Sequence, residues 1–160
     1  ASWSALLSLC QKVWNSVLSE CKPLMVSLGN IGEQLRAFQK VQIANTSLHT
    51  FPDLHQRLHF KLLQAVDIVL GKLTDKMCYL LCEMLSVSRC LMRSCYLQSL
   101  HLSLTCWEWL QDAERYYRQQ FLSRKNVLQT LRADVLSLLE TAPKRWAENP
   151  VKKSISGKPI

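Results

Sequence analysis

WNSVLSECKPLMVSLGNIGEQLRAF, residues Trp14–Phe38, decides the fold. Within it Trp14, Val17, Cys21, Leu24, Leu28, Ile31, Leu35 and Phe38 follow one another in steps of three and four without a miss. This period of about 3.5 residues lets a helix keep one apolar stripe against a neighbouring helix over many turns. The stripe must be covered by another helix, either from this chain or from a partner. The chain therefore reads as a binding protein before it reads as a catalyst.

Composition extends the helical reading to the whole chain. Its 160 residues are 48% hydrophobic with only four Gly and five Pro, which excludes low-complexity and disordered classes. Leu-rich and nearly free of β-branched runs, it belongs to the all-α class. The net charge is +8 and favours acidic partners such as nucleic acid or acidic protein surfaces. From Arg115 onward ten Lys or Arg stand against only Asp134, Glu140 and Glu148. The seven Cys are odd in number and contain no CxxC, which fits a reducing compartment better than a disulfide framework. A secreted four-helix cytokine would share the length but would need paired disulfides. No signal peptide is visible; the sequence opens at Ala1 rather than Met, so that observation carries no weight. The uncharged stretch Ser94–Trp107 is too short to span a bilayer.

The pattern predicts one helical domain over 1–146. It has helices at about 2–44, 51–87, 105–132 and 134–140, an irregular 88–104 segment, and a flexible basic tail from 147 to 160. Pro23 interrupts the first helix without breaking its seam, which points to a continuous helix with a kink, with two abutting helices as the alternative. Thr50-Phe51-Pro52-Asp53 reads as the start of the second helix, with Thr50 as cap and Asp53 closing a variant capping box. That helix carries Leu54, Leu58, Leu62, Ala65, Val69, Leu73, Met77, Leu80, Met84, Val87 and Leu91 as its core face. It returns antiparallel along the first, giving a long coiled-coil-like hairpin with a further helix C-terminal to it. Thr105 and Glu108 form a second capping box, and Pro143 with Asn149-Pro150 ends the fold.

Catalytic and metal motifs fail on inspection. His55 and His59 have the spacing of a zinc pair, but the Glu of HExxH is missing. Cys78 and Cys82 share that spacing but lie about 30 Å further along the same helix at about 1.5 Å per residue. There is no glycine-rich phosphate loop and no distinguishable Ser/His/Asp grouping, so neither an enzyme nor a cofactor site is expected. Arg118, Lys125 and Arg132 recur every seven residues, with Arg115 and Arg124 nearby, as a basic helix face. That face reads either as a phosphate-contacting stripe or as a solvated surface. Trp109 and Tyr116 fall off the apolar seam of their helix and are candidate partner anchors.

Several local words resemble the AIRIM family of ribosome maturation factors. They are Trp14–Gln39, Phe51-Pro52-Asp53-Leu54 with Arg57-Leu58, Ala65–Leu73, Glu108–Arg118 with Arg124-Lys125, and Ala142–Trp146. The resemblance runs in order from about Trp14 to Trp146. It implies a non-catalytic adaptor acting with tandem-domain AAA ATPases and the helical protein CINP. Their task would be the late cytoplasmic maturation of pre-60S ribosomal particles, in which a shuttling assembly factor is released and recycled to the nucleus. Cytoplasm and nucleus are the implied locations, without membrane or small-molecule substrate. Between about 88 and 104 the sequence departs from the family. Past Trp146 it runs into Lys152-Lys153 where the family continues with more helix, so a truncated or divergent form is expected.

On this reading the adaptor engages its helical partner through Trp14, Leu24, Leu28, Ile31, Leu35 and Phe38, with Trp109 and Tyr116 as anchors. The turn Phe51, Pro52, Asp53 and Leu54 fixes the hairpin or protrudes as a contact. The alternative is a helical RNA-binding module using Arg115, Arg118, Arg124, Lys125 and Arg132 on ribosomal RNA.

Overall fold

A computed structural model describes residues 3–42, 45–97 and 104–148. Its helices are α1 (Trp3–Lys40), α2 (Leu54–Leu97), α3 (Leu104–Thr130) and α4 (Leu136–Ala147), with a 3-10 turn at Ser47–Thr50. No strand occurs among the described residues, as the all-α composition requires. Contacts gather into two compact units. Of the described residues, one comprises 3–21, 75–97 and 104–126, the other 22–42 and 45–74 with 127–148.

In the first unit three helices meet. Glu20 on α1 pairs with Lys76 on α2. Further up, Leu7 and Trp14 share a cavity wall with Leu81, Met84 and Leu85, so α1 and α2 run antiparallel here. Tyr117 lies against Trp14 at 5.1 Å between ring centroids, and Arg124 sits one to two turns further along beside Trp14 and Cys21. Thus α3 runs parallel to α1. Cys10, Trp14, Val17, Cys21, Met77, Leu80 and Val87 are buried and form this unit's core.

In the second unit Phe38 near the end of α1 stacks on His55 and His59 near the start of α2, again the antiparallel hairpin. The core is Met25, Leu28, Ile31 and Leu35 from α1, Val66, Val69 and Leu73 from α2, and Leu131 with α4's Leu139, Ala142 and Trp146. Gly29 and Gly32 make the approach of α4 possible. A Cβ at Gly32 would stand 3.0 Å from Leu139 Cβ and 3.1 Å from Glu140 N; one at Gly29 would stand 3.1 Å from Pro143 Cγ. Arg36 Nε donates to Glu140 Oε1 beside this contact.

Several boundaries differ from the sequence pattern, each for a local reason. Pro23 does sit inside one continuous α1. Ser19, whose carbonyl loses its donor, is exposed and can be hydrated. Pro143 does not end the fold: it lies within α4. An interior proline costs about 3 kcal/mol. Burial of Leu139 and Trp146 contributes about 1.5–3 kcal/mol per side chain, enough to hold α4 through the proline. Thr50 is not the cap of α2. It belongs to the 3-10 turn that Thr46 caps, and α2 begins after Asp53, whose carbonyl accepts from Arg57 N at 2.9 Å. Asp53 takes a φ of 60°, a left-handed turn that Asp tolerates better than most residues.

α3 starts at Leu104, which places Thr105 inside the helix rather than at its cap; α4 starts at Leu136 after a Val135 cap rather than at Asp134. The described part of 88–104 is helix: α2 runs on to Leu97. An established helix extends at little cost where no Gly or Pro intervenes, even where its polarity pattern blurs. The expected tail begins later than 147, since Ala147 closes α4 and Glu148 caps it; residues 98–103 and 149–160 lie outside the described residues.

Candidate functional site

The apolar seam of α1 is covered by the chain itself. Trp14, Leu28, Ile31 and Leu35 are buried, Leu28 completely, while Leu24 and Phe38 are half-buried. The apolar area of the four buried side chains is thus already removed from water by the chain's own helices, whereas Leu24 and Phe38 remain partly exposed. Trp14 holds the most elaborate environment. Its ring tilts against Tyr117, Tyr117 meets Tyr116 edge-on at 5.4 Å, and the Arg124 guanidinium stands 5.7 Å from the Trp14 centroid. A desolvated cation over an indole contributes about 2 kcal/mol, and Arg124 is only 9% exposed. Its NH1 donates to Gln120 Oε1 at 2.7 Å. Burial lowers the guanidinium pKa from its usual value, and the neighbouring Tyr116 opposes that shift. Arg124 is therefore a core cation.

The rest of the basic face is mostly neutralised locally. Arg115 pairs with Asp112, Arg118 with Glu114 through Nε at 2.9 Å, and Arg132 with Asp134 at 3.1 Å. Lys125 is exposed. Exposed pairs of this kind contribute little to stability, about 0–1 kcal/mol each, but they do place a carboxylate beside each of these guanidinium groups. Heptad spacing revealed the stripe, whereas the pairing carboxylates at i−3, i−4 and i+2 determine its character.

Beside Trp14 the first unit opens into an apolar cavity of about 250 Å³, walled by Leu7, Trp14, Met84, Leu85, Tyr117 and Phe121. Glu114 and Arg118 stand at it as a paired polar edge. It can take one large apolar side chain. Tyr116 is half-buried by its neighbour Tyr117, and the Trp109 side chain lies outside the described residues.

At the turn of the second unit Phe51 is 60% exposed, Pro52 and Asp53 are exposed and Leu54 is half-buried. The His55 ring centroid lies 4.2 Å from that of Phe38 and the His59 centroid 5.7 Å, the latter ring nearly parallel to Phe38, so the two imidazoles stack on Phe38. Among the described residues no group of three or more His, Cys, Asp or Glu is placed to hold a metal ion. Cys78 and Cys82 are exposed free thiols, and Cys10 and Cys21 are buried ones whose pKa burial raises.

The core face expected for α2 holds at Val69, Leu73, Met77, Leu80 and Val87, which are buried, and departs from the structure only at its start. The buried line of α2 is Val66, Val69, Leu73, Met77 and Leu80, and projecting it back by about 100° per residue places Leu62, His59 and His55 on it. Leu54, Leu58 and Ala65 are rotated to its flank, and Leu58 is exposed there. The histidines hid this shift, because a hydrophobicity pattern does not score His as core.

Comparison with known proteins shows what the chain resembles. A family model described as CA109-like, ribosome biogenesis protein C1orf109-like, matches residues 5–156. A zebrafish (Danio rerio) protein named AFG2-interacting ribosome maturation factor is 42% identical, aligned over 80% of this chain and 72% of its own length. Human and Xenopus tropicalis proteins of the same name are 35% and 36% identical, over 85% and 84% of this chain and 76% and 74% of theirs.

Proposed function

We propose, since this chain belongs to the CA109-like family of ribosome biogenesis proteins, that it is a ribosome maturation factor working as a non-catalytic adaptor. The observation that carries this reading is the shared name of its relatives, each described as AFG2-interacting. By that reading the chain binds an AFG2-type AAA ATPase together with the helical co-subunit CINP. It directs the ATPase to late pre-60S particles in the cytoplasm, where an assembly factor is released for return to the nucleus. ATP hydrolysis belongs to the ATPase; recognition and tethering belong to this chain.

The architecture suits the task. Two helical units built on long shared helices offer separate surfaces, the apolar cavity beside Trp14 in one and the turn with Phe51 in the other. Both present apolar groups to solvent, and apolar and aromatic groups dominate the energetics of protein interfaces.

Affinity purification of the chain from lysate at moderate salt, with quantitative mass spectrometry, tests the reading. An AAA ATPase and a helical co-subunit in stoichiometric amounts support it. Ribosomal RNA and ribosomal proteins alone, lost steeply as salt rises, would instead identify an RNA-binding module.

A further inference from the structure

The first turns of α2 carry a second heptad stripe that the core does not use. Leu54, Leu58, Lys61, Ala65, Ile68 and Lys72 follow in steps of four, three, four, three and four. At about 100° per residue they cluster within about 80° of arc, roughly a quarter-turn from the buried line Val66–Val69–Leu73. All six belong to the second unit. Leu58 and Ile68 are 43% and 51% exposed, Lys61 and Lys72 are exposed, and Leu54 and Ala65 are half-buried. The stripe thus has the spacing of a helix-packing seam, with its largest apolar side chains in water.

Its charge is predominantly positive. Lys61 and Lys72 lie on the stripe and Arg57 borders it, Asp67 points to the opposite side of the helix, and the first acid in the series is Asp75, one heptad step beyond Lys72. Lys61 has Gln64 as a hydrogen-bond partner rather than a carboxylate. A seam that places lysine where a Leu or Ile would normally sit selects a partner with carboxylates opposite. A second copy of this chain would bring Arg57, Lys61 and Lys72 against a single acid, Asp75, so like charge would dominate such a contact.

We propose that the Leu54–Lys72 face of α2 docks an amphipathic helix of a partner protein whose apolar seam is interrupted by Glu or Asp facing Lys61 and Lys72. The assignment rests on the adaptor reading for its setting, and it names the chemistry by which that adaptor recognises one partner. Leu58 and Ile68 supply the apolar anchors, with Leu54 and Ala65 flooring the groove beside them. Lys61 and Lys72 fix register and orientation.

The test uses the full chain and two labelled helical peptides of three heptads, about 21 residues each. Both carry the same Leu seam, interrupted in one by Glu and in the other by Lys at the positions facing Lys61 and Lys72. Fluorescence anisotropy should show the Glu peptide binding roughly tenfold or more tighter than the Lys peptide, with the difference shrinking at high salt. The double variant Lys61→Glu/Lys72→Glu changes only exposed side chains and should retain the helical circular dichroism and melting temperature. It should reverse the preference. Amide exchange should map protection by the Glu peptide to 54–72.

Equal affinity for the two peptides, binding by neither, or a preference that the double variant leaves unchanged overturns the proposal. Self-association through this face in analytical ultracentrifugation overturns it too, as does displacement of the Glu peptide by poly-uridine. A chain that binds the Glu peptide as described yet recovers no AAA ATPase fails the adaptor reading alone.

Discussion

Replacing Gly32 by Ala isolates the contact that seats α4 on α1. In the interior of an unencumbered helix Gly→Ala gains about 1 kcal/mol, because Ala loses less backbone freedom on folding. Gly71 is such a site: a Cβ there meets nothing within 4 Å. At Gly32 the same Cβ stands 3.0 Å from Leu139 Cβ, 3.1 Å from Glu140 N and 3.2 Å from Glu140 Cγ. Glu140 N is backbone of α4, so relief requires moving the helix, together with buried Leu139, Ala142 and Trp146. Overpacking a closely fitted contact costs about 1–3 kcal/mol. The propensity gain is common to both substitutions, so the difference between Gly71→Ala and Gly32→Ala equals the packing cost alone. For a chain of this size that is a gap of roughly 2–12 °C in Tm, at about 2–4 °C per kcal/mol. Thermal melts followed at 222 nm measure it. A Gly32→Ala protein as stable as Gly71→Ala would refute the close approach of α4 to α1.

Trp14→Ala should lower stability by about 3–5 kcal/mol, through loss of a buried ring and of the surface on which Tyr117 and Arg124 pack; urea unfolding measures it. Leu28→Asp places an uncompensated carboxylate at a fully buried site and should unfold the second unit rather than selectively release a partner, visible as lost helicity in the isolated chain. Alkaline pH should destabilise the fold. Burial holds the Cys10, Cys21 and Tyr117 pKa values above their usual ones. The unfolded thiols ionise around the usual 9.0 while the folded ones stay protonated, so their contribution is complete below that pH and is lost as pH rises through the raised values. A Tm that falls from pH 8 to pH 10.5, and falls less in Cys21→Ala, is the expected result. Peptide-resolved labelling with a thiol reagent should modify Cys78, Cys82 and Cys90 quickly and Cys10 and Cys21 only after unfolding.

The hairpin was legible because α1's seam is a pure run of large apolar residues with a period no other structure shares. Its return along α2 was legible for the same reason from Val69 to Leu80. At the start of α2 the reading slipped, since His55 and His59, though exposed, stack on Phe38 in line with the buried face, and the remaining leucines suggested a face rotated toward Leu54 and Leu58. Pro143 misled because its cost is a local rule, whereas the compensation, burial of Leu139 and Trp146, is tertiary, and the room for the proline ring comes from Gly29, distant in sequence. The basic stripe was visible as spacing, but burial of Arg124 beneath Trp14 is a tertiary fact that no helical wheel contains. Partner-facing surface was the hardest to read. A seam pattern is identical whether the covering helix is the chain's own or another's, and only exposure separates the two.

Co-sedimentation with late pre-60S particles addresses the adaptor claim most directly. Salt-washed particles are mixed with a purified AFG2-type AAA ATPase and CINP, with or without this chain, and spun through a sucrose cushion. The ATPase should pellet with the particles when the chain is present and stay largely in the supernatant when it is absent. Equal pelleting in both mixtures would show that the ATPase finds its particle unaided and would contradict the adaptor function.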